Sequence, residues 1–286
     1  MTQKNKKLEA LRAEIDRLDD ELLNVLEQRI AIVTDIAAAK KETGDGPVFR
    51  PGREATVMRR LLEKHSSDLP DAVVSRIWRE IISAVTRMQR PNSVAVTAPE
   101  KSVGYWDLAR NHFGAATPMT LHKSATVVLR DVSTDPTKLG ILPWQNEELD
   151  TWWVHLAQGG ETVPKILACL PFTPNDSGNF EDLGALVIGQ SQPEPSGNDV
   201  SLIVLVAKEE VSRARMNEYL EKAGIPGKCM DSRSPQVEEG DWLHLIQISE
   251  FVAEEDNRLS TFKELVGDGV IKLVILGAYA VPILSD

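Results

Sequence analysis

The polar residues that could act together on a small ligand lie in the first ninety positions of the chain. Arg29 interrupts a row of apolar residues on a long predicted helix, and Lys40 follows eleven residues later. Since eleven residues make about three helical turns, both side chains point in nearly the same direction, with their Cα atoms roughly 16 Å apart. Both side chains are long enough to converge on one molecule of metabolite size.

A charged bend follows this helix. The stretch VFRPGRE, residues 48–54, places Arg50, Arg53 and Glu54 around a Pro-Gly pair. Taken alone, such a bend is most often a solvated turn. Here the chain folds back after a long helix, so we expect the bend to bring Arg53 and Glu54 towards the two cations of that helix.

Gln89 and Arg12 complete the candidate set. Gln89 follows Val85 by four residues and Ile82 by seven, which puts an amide on the inward face of another predicted helix. Arg12 lies in the first turns of the long helix, too far along the axis to reach the same point within one chain. An antiparallel partner helix could supply it.

Each of these residues also has a purely structural interpretation. Arg29 could form a buried ion pair with an acid such as Asp19 or Glu54, and Gln89 could end a frayed helix. Together, however, the residues predict a cationic pocket with one carboxylate and one amide, which would bind a compact dianion. The sequence shows no nucleophile–base pair, glycine-rich phosphate loop or metal ligand set, so catalysis would depend on cations placed where negative charge develops.

Composition and charge narrow the class of protein. The 286 residues are 42% hydrophobic and 26% charged, as in soluble proteins of two or three domains. No apolar run reaches the roughly 20 residues that span a bilayer, and the N-terminus lacks the apolar core of a secretory signal. We therefore expect a cytoplasmic protein without membrane contacts.

The distribution of charge and the spacing of the cysteines and histidines restrict the kinds of ligand that the chain could bind. The net charge is -11, yet residues 1–92 hold 17 Lys/Arg against 15 Asp/Glu, so the acidity lies in the rest of the chain. An acidic body repels nucleic acid, and a small-anion site would lie in the first third. Cys169, Cys229 and the five histidines show no ligand spacing, so we expect free thiols, no metal and no cofactor.

The spacing of apolar residues predicts three helices in this first third. Residues 8–39 repeat apolar positions at steps of three and four, typical of one long helix with a single apolar stripe. A second helix should run from near Arg53 to about Ser66, and a third from after Pro70 to before Pro91. A long helix with one apolar stripe needs a partner, so the pattern predicts a homodimer.

The period changes after Pro91, where short apolar runs predict an α/β region. Three buried strands and one helix are expected before a loop rich in Pro, Gly and Ser at 190–199; the strands are 93–99, 138–143 and 185–189, and the helix is WDLARNHF. The remainder is predicted to have a βαββαβ order. Bounds are assigned for three of its strands, at 200–207, 242–250 and 272–279, and for its helices, at 213–223 and 259–266. This order fits a small ferredoxin-like α+β module.

Residues 8–90 resemble the all-helical class of chorismate mutases. The resemblance is carried by LEALRAEIDRLDDELLNVLEQRIAIVTDIAAAKK, VFRPGRE and SRIWREIISAVTRMQ. It implies an intertwined dimer that rearranges chorismate to prephenate in one pericyclic step without a cofactor. It also implies that Arg12 of the partner and Arg29 bind the substrate carboxylates, and that Lys40 and Gln89 hydrogen-bond to the ether oxygen.

The resemblance assigns roles to three further positions. Glu54 would contact the ring hydroxyl of the substrate, and Arg53 would be a supporting arginine whose backbone lines the site. Val85 takes a substrate-binding position at which many relatives carry a serine. One carboxylate would then lose a hydrogen bond worth about 1 kcal/mol, unless Ser83 or Thr86 compensates.

The rest of the chain resembles the later parts of bifunctional mutase–dehydratases. SVAVTAPEKSVGYWDLARNHFGAAT and LGILPWQNEE resemble a prephenate dehydratase domain, and SLIVLVA, DSRSP and VILGAYAVPI resemble a regulatory ACT domain. We therefore predict a multidomain protein: an all-α mutase domain at 1–91, an α/β dehydratase-like lobe at 93–192 and an ACT-like α+β domain at 197–286.

The dehydratase motifs depart from the family pattern. Lys101-Ser102 replaces Gly-Thr, Gln145-Asn146-Glu147 replaces Glu-Asn-Ser, and Leu183-Gly184-Ala185 replaces Thr-Arg-Phe. About a hundred residues separate the mutase-like and ACT-like parts, which leaves no room for a second lobe. We expect no dehydratase activity. KEEVSRARM replaces the Gly-Ala-Leu of the ACT ligand helix, so a scaffold role is favoured over phenylalanine binding.

The predicted function is that of a chorismate mutase, an isomerase of phenylalanine and tyrosine biosynthesis with chorismate as substrate. One alternative is a non-catalytic dimeric regulator with a decayed amino-acid sensor, docking onto another shikimate-pathway enzyme. The retention of all six polar residues argues against it. A salvage mutase acting on isochorismate-derived compounds is a third possibility, which the dehydratase-like and ACT-like regions disfavour.

Overall fold

The computed structural model describes residues 3–43, 49–98, 104–144, 151–160, 162–173, 183–234 and 240–283. The side chains of residues 40–43 lie outside this description. The chain divides into two compact units, one comprising Met1–Val48 with Met88–Arg90 and the other Phe49–Arg87 with Pro91–Asp286. No helix among the described residues is long and apolar enough to cross a membrane.

The first unit is dominated by helix α1, Gln3–Thr43. It confirms the helix predicted at 8–39 and is longer at both ends. The added residues are mostly polar ones with good helix propensity, and the first glycine of the chain follows the C-terminal end. Its 41 residues span about 60 Å. The predicted apolar stripe is 47–61% exposed within this chain, at Leu8, Leu11, Ile15, Leu18, Leu22, Val25, Ile32 and Ile36.

Helices α2, Pro51–Lys64, and α3, Asp71–Gln89, confirm the other two helical predictions with small changes at their ends. Helix α2 begins at Pro51, earlier than expected, because proline with its fixed φ and missing N–H suits the first helical turn. It ends at Lys64, since His65 adopts an extended backbone. Ala55 and Met58 of α2 pack with Phe172 and Ala280.

The second unit contains a nine-stranded sheet in the order β2-β1-β3-β5-β4-β9-β6-β8-β7. Its strands are β1 Ser93–Thr97, β2 Met119–His122, β3 Lys138–Trp144, β4 Lys165–Leu170, β5 Gly184–Gly189, β6 Asp199–Ala207, β7 Gly227–Arg233, β8 Trp242–Ile248 and β9 Val270–Ala280. Its helices are α4 Gly104–Phe113, α5 Ala125–Thr134, α6 Trp153–Leu156, α7 Arg213–Lys222 and α8 Asn257–Val266.

The described strands and helices agree with the sequence predictions where apolar runs are long. Strands β1, β3 and β5 and helix α4 lie where they were expected, within a few residues. Strands β2 and β4 and helices α5 and α6 were missed, and no range was predicted for strand β7. Strand β2 is a four-residue edge strand that is only partly buried, so it lacks the apolar pattern on which such predictions depend.

The last third confirms the predicted βαββαβ module. Its elements follow the order β6, α7, β7, β8, α8, β9, and its strands lie in the order β9-β6-β8-β7 with antiparallel pairing throughout. Helices α7 and α8 cover one face of this sheet through a core that includes Met216, Leu220, Leu259 and Phe262. This is the ferredoxin-like arrangement.

One backbone pairing joins the two halves of the sheet. Strands β4 and β9 run parallel and pair Ile166 with Gly277. Gly277 has φ 142°, and a Cβ atom at this position would lie 2.2 Å from the backbone oxygen of Ile166. Only glycine fits this close approach. The proposed boundary between a lobe at 93–192 and a module at 197–286 is therefore crossed by a continuous sheet.

We expect Gly277→Ala to lower the free energy of unfolding by about 3 kcal/mol or more, since it combines a strained φ with a backbone clash. Gly269→Ala is the matched control, because none of the described atoms lies within 4 Å of its added Cβ. The control should change stability by less than about 0.5 kcal/mol. Urea denaturation measures both variants, and equal midpoints would contradict this account of the junction.

Candidate functional site

Helix α1 carries three of the predicted site residues. The Arg12 side chain is 63% exposed and donates a 3.0 Å hydrogen bond to Glu9, one turn earlier. Arg29 is half-buried, and this burial lowers the pKa of its guanidinium. Lys40 belongs to the helix by its backbone, but its side chain lies outside the described residues.

The charged bend leads directly into helix α2. Arg50 donates from Nε to both carboxylate oxygens of Glu194, at 3.0 and 2.9 Å, and its carbonyl accepts from the backbone N–H of Glu54. Gly52 packs closely on the backbone of Glu194, where an added Cβ atom would lie 2.5 Å from the carbonyl oxygen. Residues 49–54 of the bend are therefore held by contacts within the second unit, while the side chain of Arg53 is exposed.

Glu54 takes part in a buried ion pair. Its Oε2 accepts a 2.9 Å hydrogen bond from Nη1 of Arg79 on helix α3. The two side chains are only 13% and 5% exposed. Burial raises the pKa of Glu54 and lowers that of Arg79, and in each case the opposite charge of the partner acts against the shift. The sequence analysis considered an ion pair between Arg29 and Glu54. The structure shows a buried ion pair of Glu54 with Arg79.

Sequence reasoning missed Arg79, although a signal was present. Arg79 follows Ser75 by four residues and precedes Ile82 by three, and all three are buried. An arginine at this spacing lies on the inward face of the helix, like Gln89. The period that singled out Gln89 therefore also predicts a charged residue in the interior at position 79, which needs a carboxylate partner.

The guanidinium of Arg79 also packs on an aromatic ring. Its Cζ lies 5.4 Å from the ring centroid of Phe172, which follows strand β4. Arg59 of helix α2 approaches the same ring, with its Cζ at 5.8 Å. Arg59 further donates to Ser196 and to the carbonyl oxygens of Asn198 and Val281, at 2.9–3.2 Å. Helices α2 and α3 are thus anchored on the α/β part of the second unit.

A small cavity of about 10 Å³ lies beside Glu54. His112 of helix α4 lines it and is buried; that burial and the nearby Arg79 hold its pKa well below the usual range, so the ring is neutral at pH 7. Three lining atoms have no hydrogen-bond partner among the described residues: His112 Nε2, Arg87 Nε and Asn92 Oδ1. A cavity of this volume accommodates a single water molecule and no organic substrate.

The remaining predicted residues lie near the end of helix α3. Val85 is buried, and Gln89, the last residue of the helix, is half-buried. Ser83 lies 3.5 Å from the carbonyl oxygen of His112, to which its hydroxyl donates, and Thr86 lines the small cavity. Within the described ranges no cluster of His, Cys, Asp or Glu could hold a metal ion, and both cysteines are free thiols.

Comparison with known proteins identifies the helical region. Residues 11–90 match the family model for chorismate mutase type II. The N-terminal part of the chain thus carries a chorismate mutase type II domain. The matched range includes every residue assigned above to the candidate site.

Curated relatives extend the match beyond the helical domain. A bifunctional chorismate mutase/prephenate dehydratase of Pseudomonas aeruginosa is 34% identical over 143 residues, which cover 49% of this chain and 39% of the relative. A protein of the same description from Neisseria gonorrhoeae is 30% identical over 132 residues, or 46% of this chain and 35% of the relative. The aligned part of the chain thus spans about two-fifths or less of these relatives.

A solved structure of similar fold covers the rest of the chain. The prephenate dehydratase of Streptococcus mutans superposes with a TM-score of 0.47 and 17% identity, and covers 68% of this chain and 100% of that one. A likeness at this level is too distant to bear on ligands or activity.

Proposed function

We propose that the chain is a chorismate mutase, which isomerises chorismate to prephenate as a step of phenylalanine and tyrosine biosynthesis in the cytoplasm. The observation that carries the proposal is the match of residues 11–90 to the chorismate mutase type II family. All the residues that the sequence singled out for dianion binding lie within this range. Neither a metal nor a cofactor is required, since the reaction only rearranges bonds within one molecule.

The proposed mechanism depends on charge placed in advance around the substrate. Arg29, with Arg12 of a second copy, would bind the two substrate carboxylates and hold the molecule in its folded, reactive geometry. Lys40 and Gln89 would donate hydrogen bonds to the ether oxygen, on which negative charge develops as its bond to the ring breaks. The half-buried position of Arg29 favours this role, because a partly desolvated cation interacts more strongly with an anion.

Three residues near the turn between the helices would complete the site. Glu54, as a buried carboxylate, would accept a hydrogen bond from the ring hydroxyl of the substrate. Arg53 would line the site through its backbone, and Val85 would contribute an apolar contact where a serine is common in relatives. The ion pair with Arg79 holds this acid in one orientation.

We propose that the region after the mutase domain is a scaffold without dehydratase activity. Two of its departures from the dehydratase motifs, Lys101-Ser102 and Gln145-Asn146-Glu147, lie outside the described residues. Gly184 and Ala185 belong to β5, where a Cβ at Gly184 would lie 2.9 Å from the carbonyl oxygen of Trp144, so an arginine would not fit there without a backbone shift. The lack of space for a side chain at position 184 supports the proposal that this region has no dehydratase activity.

Loss of chorismate absorbance with purified protein tests the main proposal. The wild-type chain should consume chorismate and accumulate prephenate, with no phenylpyruvate above background at neutral pH. Arg29→Ala and Lys40→Ala should each lower kcat/KM by about 100-fold or more, as expected for the loss of one charge-stabilising donor. Arg17→Ala is the matched control, because Arg17 is an exposed arginine of the same helix that pairs with Glu14 and Glu21.

The outcomes of this assay separate the alternatives. Folded protein that leaves chorismate untouched would favour the non-catalytic regulator. Full activity of Arg29→Ala or Lys40→Ala would refute the assigned site, and a clear rate of phenylpyruvate formation would refute the scaffold role of the dehydratase-like region.

We propose that the active form is a homodimer in which the apolar stripe of α1 packs on a second copy. The stripe residues are about half exposed in the single chain, and they follow the spacing of helix–helix contacts. Leu18→Glu should therefore convert the protein from dimer to monomer in sedimentation velocity, and activity should fall with it as Arg12 of the partner is lost. Ala13→Glu, which adds the same charge on the opposite face of α1, should remain an active dimer.

The choice of an amide at position 89 gives a prediction on pH dependence. An amide donates to the ether oxygen at any pH, whereas a glutamate must be protonated before it can donate. Wild-type activity should therefore stay level between pH 7 and 9. Gln89→Glu should lose roughly tenfold in kcat for each pH unit above the pKa of the new carboxyl, so its optimum moves to lower pH. An identical pH profile in the variant would contradict the role of Gln89.

A further inference from the structure

The Glu54–Arg79 pair links the proposed mutase acid to the α/β part of the chain. Glu54 lies in the first turn of α2, and Arg79 lies in the middle of α3. Phe172, whose ring packs on the Arg79 guanidinium, follows strand β4. All three belong to the second compact unit. Phe172, which lies outside the mutase family match, thus packs on the cation that binds a proposed catalytic carboxylate.

Burial makes the charge state of Glu54 depend on its partner. A carboxylate with a side chain only 13% exposed is poorly hydrated and would take up a proton unless a cation lies within hydrogen-bonding distance. Arg79 supplies that cation at 2.9 Å. The guanidinium is itself 5% exposed and stacks on Phe172, so it has little freedom to turn away.

The other charged or titratable groups near Glu54 are exposed, neutral or bonded to other residues. On its own helix, Arg53 is exposed and Arg50 binds Glu194. Across the small cavity, His112 of α4 is neutral, and Arg87 of α3 donates from Nη1 to the carbonyl oxygen of Ala116. Within the described residues, Arg79 is therefore the cation with a direct hydrogen bond to this carboxylate.

We propose that Arg79 is a positioning residue for the mutase reaction, which keeps Glu54 ionised and oriented towards the substrate hydroxyl, and that Phe172 holds Arg79 in place. The inference rests on the proposed function. It assigns the α/β region a part in mutase catalysis without contact to the substrate.

The test is the pH dependence of kcat and KM for chorismate in full-length Arg79→Gln. Loss of the cation raises the pKa of Glu54, so at any given pH a larger fraction of the variant carries a protonated Glu54 that cannot accept the substrate hydroxyl. A nearby opposite charge shifts a carboxyl pKa by about one to three units. The acid limb of kcat/KM should therefore move to higher pH, with a loss of roughly tenfold or more at pH 6 that recovers towards pH 8.5.

Two variants separate positioning from general stabilisation. Arg59→Gln removes the other guanidinium over Phe172 and several contacts to the α/β region, but no hydrogen bond to Glu54. It should leave the pH profile unchanged. Arg79→Lys restores a charge without the planar guanidinium, and should recover much of the wild-type profile at an increased KM. This variant also provides the test if Arg79→Gln does not fold.

The outcomes distinguish this inference from the proposed function. If the wild-type chain does not turn over chorismate, both are overturned. If the wild type is active and Arg79→Gln keeps its pH profile and KM, only the positioning role is wrong. The same conclusion follows if Arg59→Gln reproduces the shift of the acid limb, because that would trace the effect to the packing of the helices.

Discussion

The burial of the Glu54 carboxylate is the constraint on which much of the second unit depends. Removing a carboxylate and a guanidinium from water costs several kcal/mol for each ion, which is offset only when the geometry of the pair is good. A 2.9 Å contact satisfies that condition, and it fixes the register of α2 against α3. Since Phe172 packs on the guanidinium, the same requirement fixes both helices against the end of strand β4.

The α/β region holds helix α2 with polar contacts of its own. Arg50 binds the carboxylate of Glu194, and Arg59 donates to the segment that leads into β6 and to the chain after β9. The charged residues of the bend therefore have different surroundings. Arg50, like Arg59 further along the helix, fastens α2 to the α/β region, whereas Arg53 and Glu54 remain candidate site residues. These contacts are the physical basis of the scaffold role proposed for the region after the mutase domain.

Sequence reasoning succeeded where one period extends over several turns or where a buried strand forms a long apolar run. It located α1, α2, α3 and the ferredoxin-like module, because their patterns are long and local. It missed the edge strand β2 and the partner of Glu54, for different reasons. The first is too short and too exposed to show a period. The second was signalled by the helical spacing of Arg79 from Ser75 and Ile82. That its partner is Glu54, however, depends on how α2 packs against α3, which no local pattern shows.

Helix α1 poses the complementary problem, since its apolar stripe is half exposed while the core of the second unit is closed. Full burial of a Leu, Ile or Val side chain contributes about 1.5–3 kcal/mol of stability. Burying the eight exposed residues of the stripe along the helix of about 60 Å would therefore stabilise the protein considerably. A second copy of the same helix, as proposed above, would bury these residues. In that proposed dimer, the surface that stabilises α1 would also deliver Arg12 to the site of the other copy. Assembly and substrate binding would then depend on the same contact between the two copies of α1.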